Sequence, residues 1–129
     1  MLLKEIDLIR FSGSLNVDGK VVPPPSQKVI ASSKNFLQRI APEMLRCLSF
    51  QGIDCTPHGT VVFDWYKNKS FLSVEIGEDT MGFYYDLPDG TTQTRTGLPI
   101  DVENQEMLAA FRAIFFDVTK CRIKKTFFP

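Results

Sequence analysis

At 129 residues the chain has the length of one domain and can bury a single core without disulfides or metals. Lys plus Arg equals Asp plus Glu at 15 each, so no global field steers it toward nucleic acid, an anionic membrane or a basic partner. Cys47, Cys55 and Cys121 are odd in number and form no C-x-x-C pair, which suits a reducing compartment better than a disulfide scaffold and predicts a cytoplasmic setting.

The opening MLLKEIDLIRF places Lys4, Glu5 and Asp7 where a signal peptide needs an apolar stretch. No apolar run approaches the ~18 residues of a membrane span, so neither export nor anchoring is expected. Residues 2–11 fit a short helix or a strand equally well. Residues 1–25 as a whole read as an N-terminal segment and connector, in which Asp18-Gly19 favours a tight turn and Pro23-Pro24-Pro25 an extended piece. Ser26 is a fitting N-cap for a helix over residues 26–50, because Val29, Ile30, Phe36, Leu37 and Ile40 recur at helical spacing. Pro42 would remove a hydrogen bond and clash with the preceding turn, so a kink or a restart with Pro42 in a first turn is predicted there. Met44, Leu45 and Leu48 carry the apolar face onward, and residues 52–59 read as a loop.

Residues 59–97 carry the pattern of a β-meander. Val61, Phe63 and Trp65 alternate with Asp64; Leu72, Val74 and Ile76 alternate with Ser73 and Glu75; Met81, Phe83 and Tyr85 alternate with Gly82, Tyr84 and Asp86. Lys67-Asn68-Lys69-Ser70 and Gly77-Glu78-Asp79-Thr80 separate them as turns. If Tyr66 faces Phe71 and Ile76 faces Met81, three apolar rows line up on one side: Val61, Ile76 and Met81; Phe63, Val74 and Phe83; Trp65, Leu72 and Tyr85. A one-residue slip would turn every one of them outward. After the turn at Pro88-Asp89-Gly90, the β-branched residues 91–96 suit a polar edge strand. A second helix is expected over residues 101–118, capped by Asp101, with Glu103 and Glu106 in its first turns and Met107, Leu108, Phe111, Ile114, Phe115 and Val118 buried. Residues 119–129, TKCRIKKTFFP, alternate Lys120, Arg122 and Lys124 with Cys121 and Ile123, as a tail or a short strand. The expected fold is a single α+β domain: an antiparallel meander of three to four strands packed by an N-terminal and a C-terminal helix.

Chemistry-bearing clusters are few. His58 is the one histidine, and with Asp54, Cys55 and Cys47 near it in sequence it raises a metal site or a thiol nucleophile. The spacing does not bring four ligands together, so a loop histidine and small thiols account for it, and no cofactor is expected. Asp64, Glu75 and Asp86 share the outer face of the meander, with Asp64 and Glu75 diagonal, and read as solvated charge rather than an acid–base pair. Gly77, Gly82 and Gly90 lead from no strand into a helix and form no phosphate loop.

The same outer face carries Val62, Tyr66, Phe71 and Tyr84. Aromatics clustered on a sheet either meet another layer of the same chain or mark a partner site. With the basic tail Lys120, Arg122, Lys124 and Lys125 they also admit single-stranded nucleic acid, but the acidic residues of the face oppose it and no RNP-like motif is present. The segment Pro57, Gly59, Val61, Phe63, Asp64, Trp65, followed by Glu75-Ile76-Gly77 and preceded by Pro24-Pro25-Ser26, resembles a family of small uncharacterised bacterial proteins. The likeness spans residues 23–86, with Asp18-Gly19 standing where such proteins often carry a Trp-Asp-Gly stretch. It implies a bacterial or mobile-element accessory protein and supplies no catalytic residue. The expected function is therefore a non-enzymatic interaction module, an immunity, antitoxin-like or chaperone-like partner or a self-associating one. The alternatives are a small enzyme using Cys55 and His58, or a weak single-strand binder. No small-molecule substrate is evident.

Overall fold

The computed structural model describes residues 15–17, 20–22 and 24–116. Two short strands, β1 (Leu15–Val17) and β2 (Lys20–Val22), pair antiparallel with Val17 opposite Lys20. The sequence reading had them in a connector; their three-residue length is too short to show a period. Then come α1 (Gln27–Arg39), α2 (Pro42–Cys47), a 3₁₀ turn (Phe50–Gly52), β3 (Ile53–Cys55), β4 (Val61–Lys67), β5 (Ser70–Ile76), β6 (Thr80–Asp86), β7 (Thr92–Pro99) and α3 (Gln105–Phe115). Strands β3 to β7 form one five-stranded antiparallel sheet in chain order, an α+β meander.

The helical stretch expected over residues 26–50 is two helices, with the restart expected at Pro42. Ser26 caps α1, its hydroxyl accepting from the Val29 amide at 3.2 Å. The helix stops at Ile40, whose ψ of 160° is extended, and Ala41, the residue before Pro42, is likewise held out of the helical region at ψ 137°. Pro42 then opens α2 at its first turn, where its missing N–H is no loss. The turn between β5 and β6 grips the start of α1: Lys28 Nζ pairs with Asp79 Oδ1 at 2.9 Å, and the Ser26 and Ser32 hydroxyls donate to the Glu78 carboxylate and carbonyl, each at 3.0 Å.

The register is the expected one. Tyr66 faces Phe71 and Ile76 faces Met81, and the three apolar rows hold. The first hairpin is tighter than a four-residue loop, because Lys67 also pairs with Ser70 and only Asn68 and Lys69 turn the chain. Asn68 takes φ +58°, a left-handed conformation that Asn tolerates better than most side chains. The sheet has five strands rather than three or four, because part of the stretch read as a loop is β3, with Ile53 opposite Phe63 and Asp54 opposite Val62. The 3₁₀ turn delivers it close to β4: a Cβ on Gly52 would collide with the Asp64 carbonyl oxygen. Edge strand β7 is present and longer than expected. A bulge shifts its pairing with β6 between Met81 and Phe83; Gly97 takes φ +68°, and a Cβ on Gly82 would lie 2.7 Å from the Arg95 carbonyl oxygen.

The helices pack on one face of the sheet. Phe63, Trp65, Leu72, Val74, Ile76 and Phe83 are buried there with Phe36, Leu37, Leu108 and Phe111. Phe36 stacks on Phe63 with ring centroids 5.7 Å apart, and Phe111 meets Trp65 edge-on at 6.4 Å. Trp65 Nε1 donates to the Met44 carbonyl of α2 at 2.8 Å, inside the core. Helix α3 begins later than expected. Asn104, not Asp101, caps it, accepting from the Met107 amide at 2.9 Å, while Asp101 accepts from the Glu103 amide at 2.9 Å and shapes the turn before the helix. Asp and Asn are comparable caps, so composition alone did not choose between them. Glu103 accordingly lies outside the helix, whereas Glu106 lies in its first turn and holds two strands. The Tyr85 hydroxyl of β6 donates to its Oε2 at 2.6 Å and Arg95 Nε of β7 to its Oε1 at 2.8 Å. Residues 2–11, the tail over 119–129 and Val118 lie outside the described residues.

Two outcomes follow from this packing. Phe63→Ala should lower unfolding free energy by about 3–5 kcal/mol, read from denaturant midpoints at constant slope. The bonds from Arg95 and then Tyr85 hold the Glu106 carboxyl below its ordinary 4.5. A depressed carboxyl stabilises the fold above its unfolded value and loses that contribution as pH falls through the folded one. Acidification below about pH 4.5 should therefore cost wild type more stability than Glu106→Gln, measured by urea titration at stepped pH.

Candidate functional site

Alternation leaves the second face of the sheet to Asp54, Val62, Asp64, Tyr66, Phe71, Ser73, Glu75, Gly82, Tyr84 and Asp86, with Thr92 and Thr94 at the β7 edge. The four residues picked out from sequence, Val62, Tyr66, Phe71 and Tyr84, do share it. Tyr66 and Phe71 are directly opposite with ring centroids 5.9 Å apart, and Phe71 lies diagonal to Tyr84 at 5.2 Å, so three rings run across β4, β5 and β6 as one row. Val62 sits further along β4 opposite Glu75, apart from the rings. The described residues leave the row open: Tyr66 is 63% exposed and Tyr84 37%, with Phe71 half-buried between them.

Every ionisable carboxyl or amine that the strands point to this face is acidic: Asp54, Asp64, Glu75 and Asp86. Lys67 and Arg95 fall on the helix side, where Lys67 Nζ donates to the Phe115 carbonyl at 3.4 Å and Arg95 meets Glu106. Among the described residues the ion pairs are Lys28–Asp79, Arg95–Glu106 and Arg112–Glu43, and none involves the four carboxylates. Tyr66 donates to Asp64 at 3.3 Å and Thr60 to Glu75 at 2.5 Å, while Asp54 accepts from the Cys55 backbone amide at 2.8 Å. Partial burial, then the Asp64 charge and bond, push the Tyr66 phenol above its ordinary value, so it stays a neutral donor at physiological pH. Asp54 was not recognised as part of the face because β3 was read as loop, and a three-residue strand gives alternation nothing to repeat.

The Cys55 and His58 cluster does not assemble into a centre of that kind. Cys55 closes β3 opposite Val61, on the helix side, while His58 is exposed in the following loop, its backbone amide donating to Thr56 Oγ1 at 3.2 Å. Cys47 lies exposed on α2. Among the described residues no group of three or more His, Cys, Asp or Glu converges to hold a metal ion. Burial, then the adjacent Asp54 charge, pushes the Cys55 thiol up, the opposite of nucleophile activation. Among the described residues no helix is long and apolar enough to cross a membrane.

Comparison with protein-family models, with curated proteins and with solved structures finds no match. The open face carries a row of three aromatic rings set among four carboxylates. Thiol labelling checks the other cluster. At neutral pH a maleimide should modify exposed Cys47 several-fold faster than Cys55, read by peptide mass spectrometry, because Cys55 is part-buried and burial pushes its thiol up.

Proposed function

We propose that the protein is a non-enzymatic interaction module that binds a protein partner through the open sheet face at Val62, Tyr66, Phe71 and Tyr84. One observation carries the reading: Tyr66, Phe71 and Tyr84 form a continuous row of rings with the outer two exposed, on a face that the helices leave bare. Aromatic enrichment distinguishes an interface core from ordinary surface, and rigid rings bury much area at little entropic cost. The strands behind the row are anchored by the core, so the rings are presented on a rigid support and little ordering cost falls on binding. The acidic surround sets the partner's preferred sign of charge and disfavours nucleic acid, whose phosphates would meet Asp54, Asp64, Glu75 and Asp86.

The role is that of an accessory protein, of the immunity, antitoxin-like or chaperone-like kind, acting by occupancy rather than chemistry. Free thiols at Cys47 and Cys55 support a reducing, cytoplasmic setting. Tyr66→Ser with Phe71→Ser should leave the thermal midpoint within a few degrees while abolishing co-purification of a partner from the native host. If the rings instead support the fold, the pair of changes lowers the midpoint steeply. A variant that keeps both its midpoint and its partner sinks the proposal.

A further inference from the structure

The two edges of the five-stranded sheet differ. Strand β3 is three residues long, and shortness itself guards an edge against pairing with another chain. Strand β7 is eight residues long, pairs only with β6, and exposes Thr92, Gln93, Thr94, Arg95 and Thr96. The devices that guard an edge lie at its far end, where the left-handed Gly97 and Pro99 interrupt it. The one charge in the run, Arg95, is tied back to Glu106 of its own chain at 2.8 Å. Residues 92–96 are left unguarded.

The backbone of that run is turned to pair. The Leu87 amide donates to the Thr91 carbonyl at 2.8 Å and the Gly90 amide to the Leu87 carbonyl at 2.9 Å, so Leu87 and Thr91 begin the β6–β7 ladder as a hydrogen-bonded pair. Hydrogen-bonded and non-hydrogen-bonded pairs alternate along an antiparallel ladder. Asp86–Thr92 and Tyr84–Thr94 are therefore non-hydrogen-bonded pairs, and the N–H and C=O groups of Thr92 and Thr94 point over the free edge. The alternation carries on to Thr96, before Gly97 breaks it. No described residue bonds to these groups.

We infer that β7 pairs with β7 of a second copy of this chain, antiparallel, about a two-fold axis at Thr94. The run is its own complement. With Thr94 opposite its counterpart, Thr92 faces Thr96 and Gln93 faces Arg95 of the other copy, and the same contacts recur across the axis. On the open face threonine meets threonine in every row, a favourable cross-strand pair. On the helix side the Gln93 amide oxygen accepts from the guanidinium N–H groups that the bond from Arg95 Nε to Glu106 leaves over. A one-residue slip would set the outward-facing threonines against Gln93 and Arg95, whose amides already serve β6. The helices leave room for the second copy, because α1 and α3 pack over β4 and β5. An axis normal to the sheet keeps like faces together, so both rows of rings lie on one side of a continuous sheet. The inference does not depend on the aromatic row being a partner site.

Sedimentation equilibrium and amide exchange on the full-length protein test it. A contact confined to residues 92–96 is at the small end of interfaces, so a weak dimer is expected, its fraction rising with concentration toward about 1 mM. Exchange at the Thr92, Thr94 and Thr96 amides should slow several-fold as it forms, while Gln93 and Arg95, already bonded to β6, should not change. Under mild oxidation Thr94→Cys should give a dimer linked through the introduced thiols, identified by mass spectrometry of the joined peptides, because hydrogen-bonded partners have Cα atoms about 5.5 Å apart. Thr92→Cys alone should not link, since its counterpart stands ~14 Å away along the strand, but it should link to Thr96→Cys when the two variants are mixed. Thr94→Lys sets like charges at the axis and should abolish the dimer with the thermal midpoint of the dilute protein unchanged. A chain that stays monomeric to about 1 mM overturns the inference. So does a dimer that survives Thr94→Lys, or one that is lost in Tyr66→Ser/Phe71→Ser, which would place the contact on the aromatic face. Slowed exchange at Thr92, Thr94 and Thr96 that appears only with a host partner bound would assign the edge to a strand of that partner, and overturns it as well.

Discussion

Trp65 is the point at which the sheet, α2 and α3 meet. Its ring lies fully buried in β4, edge-on to Phe111 of α3, and its indole N–H ends on the Met44 carbonyl of α2. A buried indole needs a partner for that donor, and the last carbonyls of a six-residue helix need donors that the helix cannot supply. One bond meets both needs. It also fixes the height at which α2 lies over the sheet, and with it the turn that leads through Gly52 into β3. Breaking it leaves a donor and a carbonyl unsatisfied inside the core, at a cost of about 1–3 kcal/mol for each group.

From that anchor the asymmetry of the sheet follows. The rows Val61–Ile76–Met81, Phe63–Val74–Phe83 and Trp65–Leu72–Tyr85 are covered by α1, α2 and α3, and their burial forbids any slip of register. The opposite rows are held in register by the same pairing. The second face carries Tyr66, Phe71 and Tyr84 among carboxylates that make no ion pair with the described residues. The edge at β7 is secured differently, by Glu106 reaching from α3 to Tyr85 and Arg95, so that an almost wholly exposed strand stays bound to the sheet.

The central hairpins were legible because their pattern repeats. Seven-residue strands with alternating Val, Phe, Trp and Leu identify face and register at once, and they place Tyr66 opposite Phe71 before any coordinates are known. The row of rings and the carboxylates beside it were legible for the same reason. Short or polar elements were not. Strand β3 has three residues and one buried side chain, Ile53, and it becomes a strand only because β4 offers an unpaired edge beside it. The bulge in β7 has no local signature stronger than Gly97, and the start of α3 depended on whether Asp101 or Asn104 took the cap.

What the sequence by itself determined is the antiparallel meander, its register and the identity of its two faces, since a period of two residues is a local property that burial reads directly. The tertiary structure decided which face stayed open, because that depends on where α1, α2 and α3 come to rest, and helix placement is set by long-range contacts such as Trp65 to Met44 and Glu78 to Ser32. It also brought the end of α3 beside Lys67. Residues 48 positions apart in the chain become neighbours there only through folding, and no local pattern encodes the meeting.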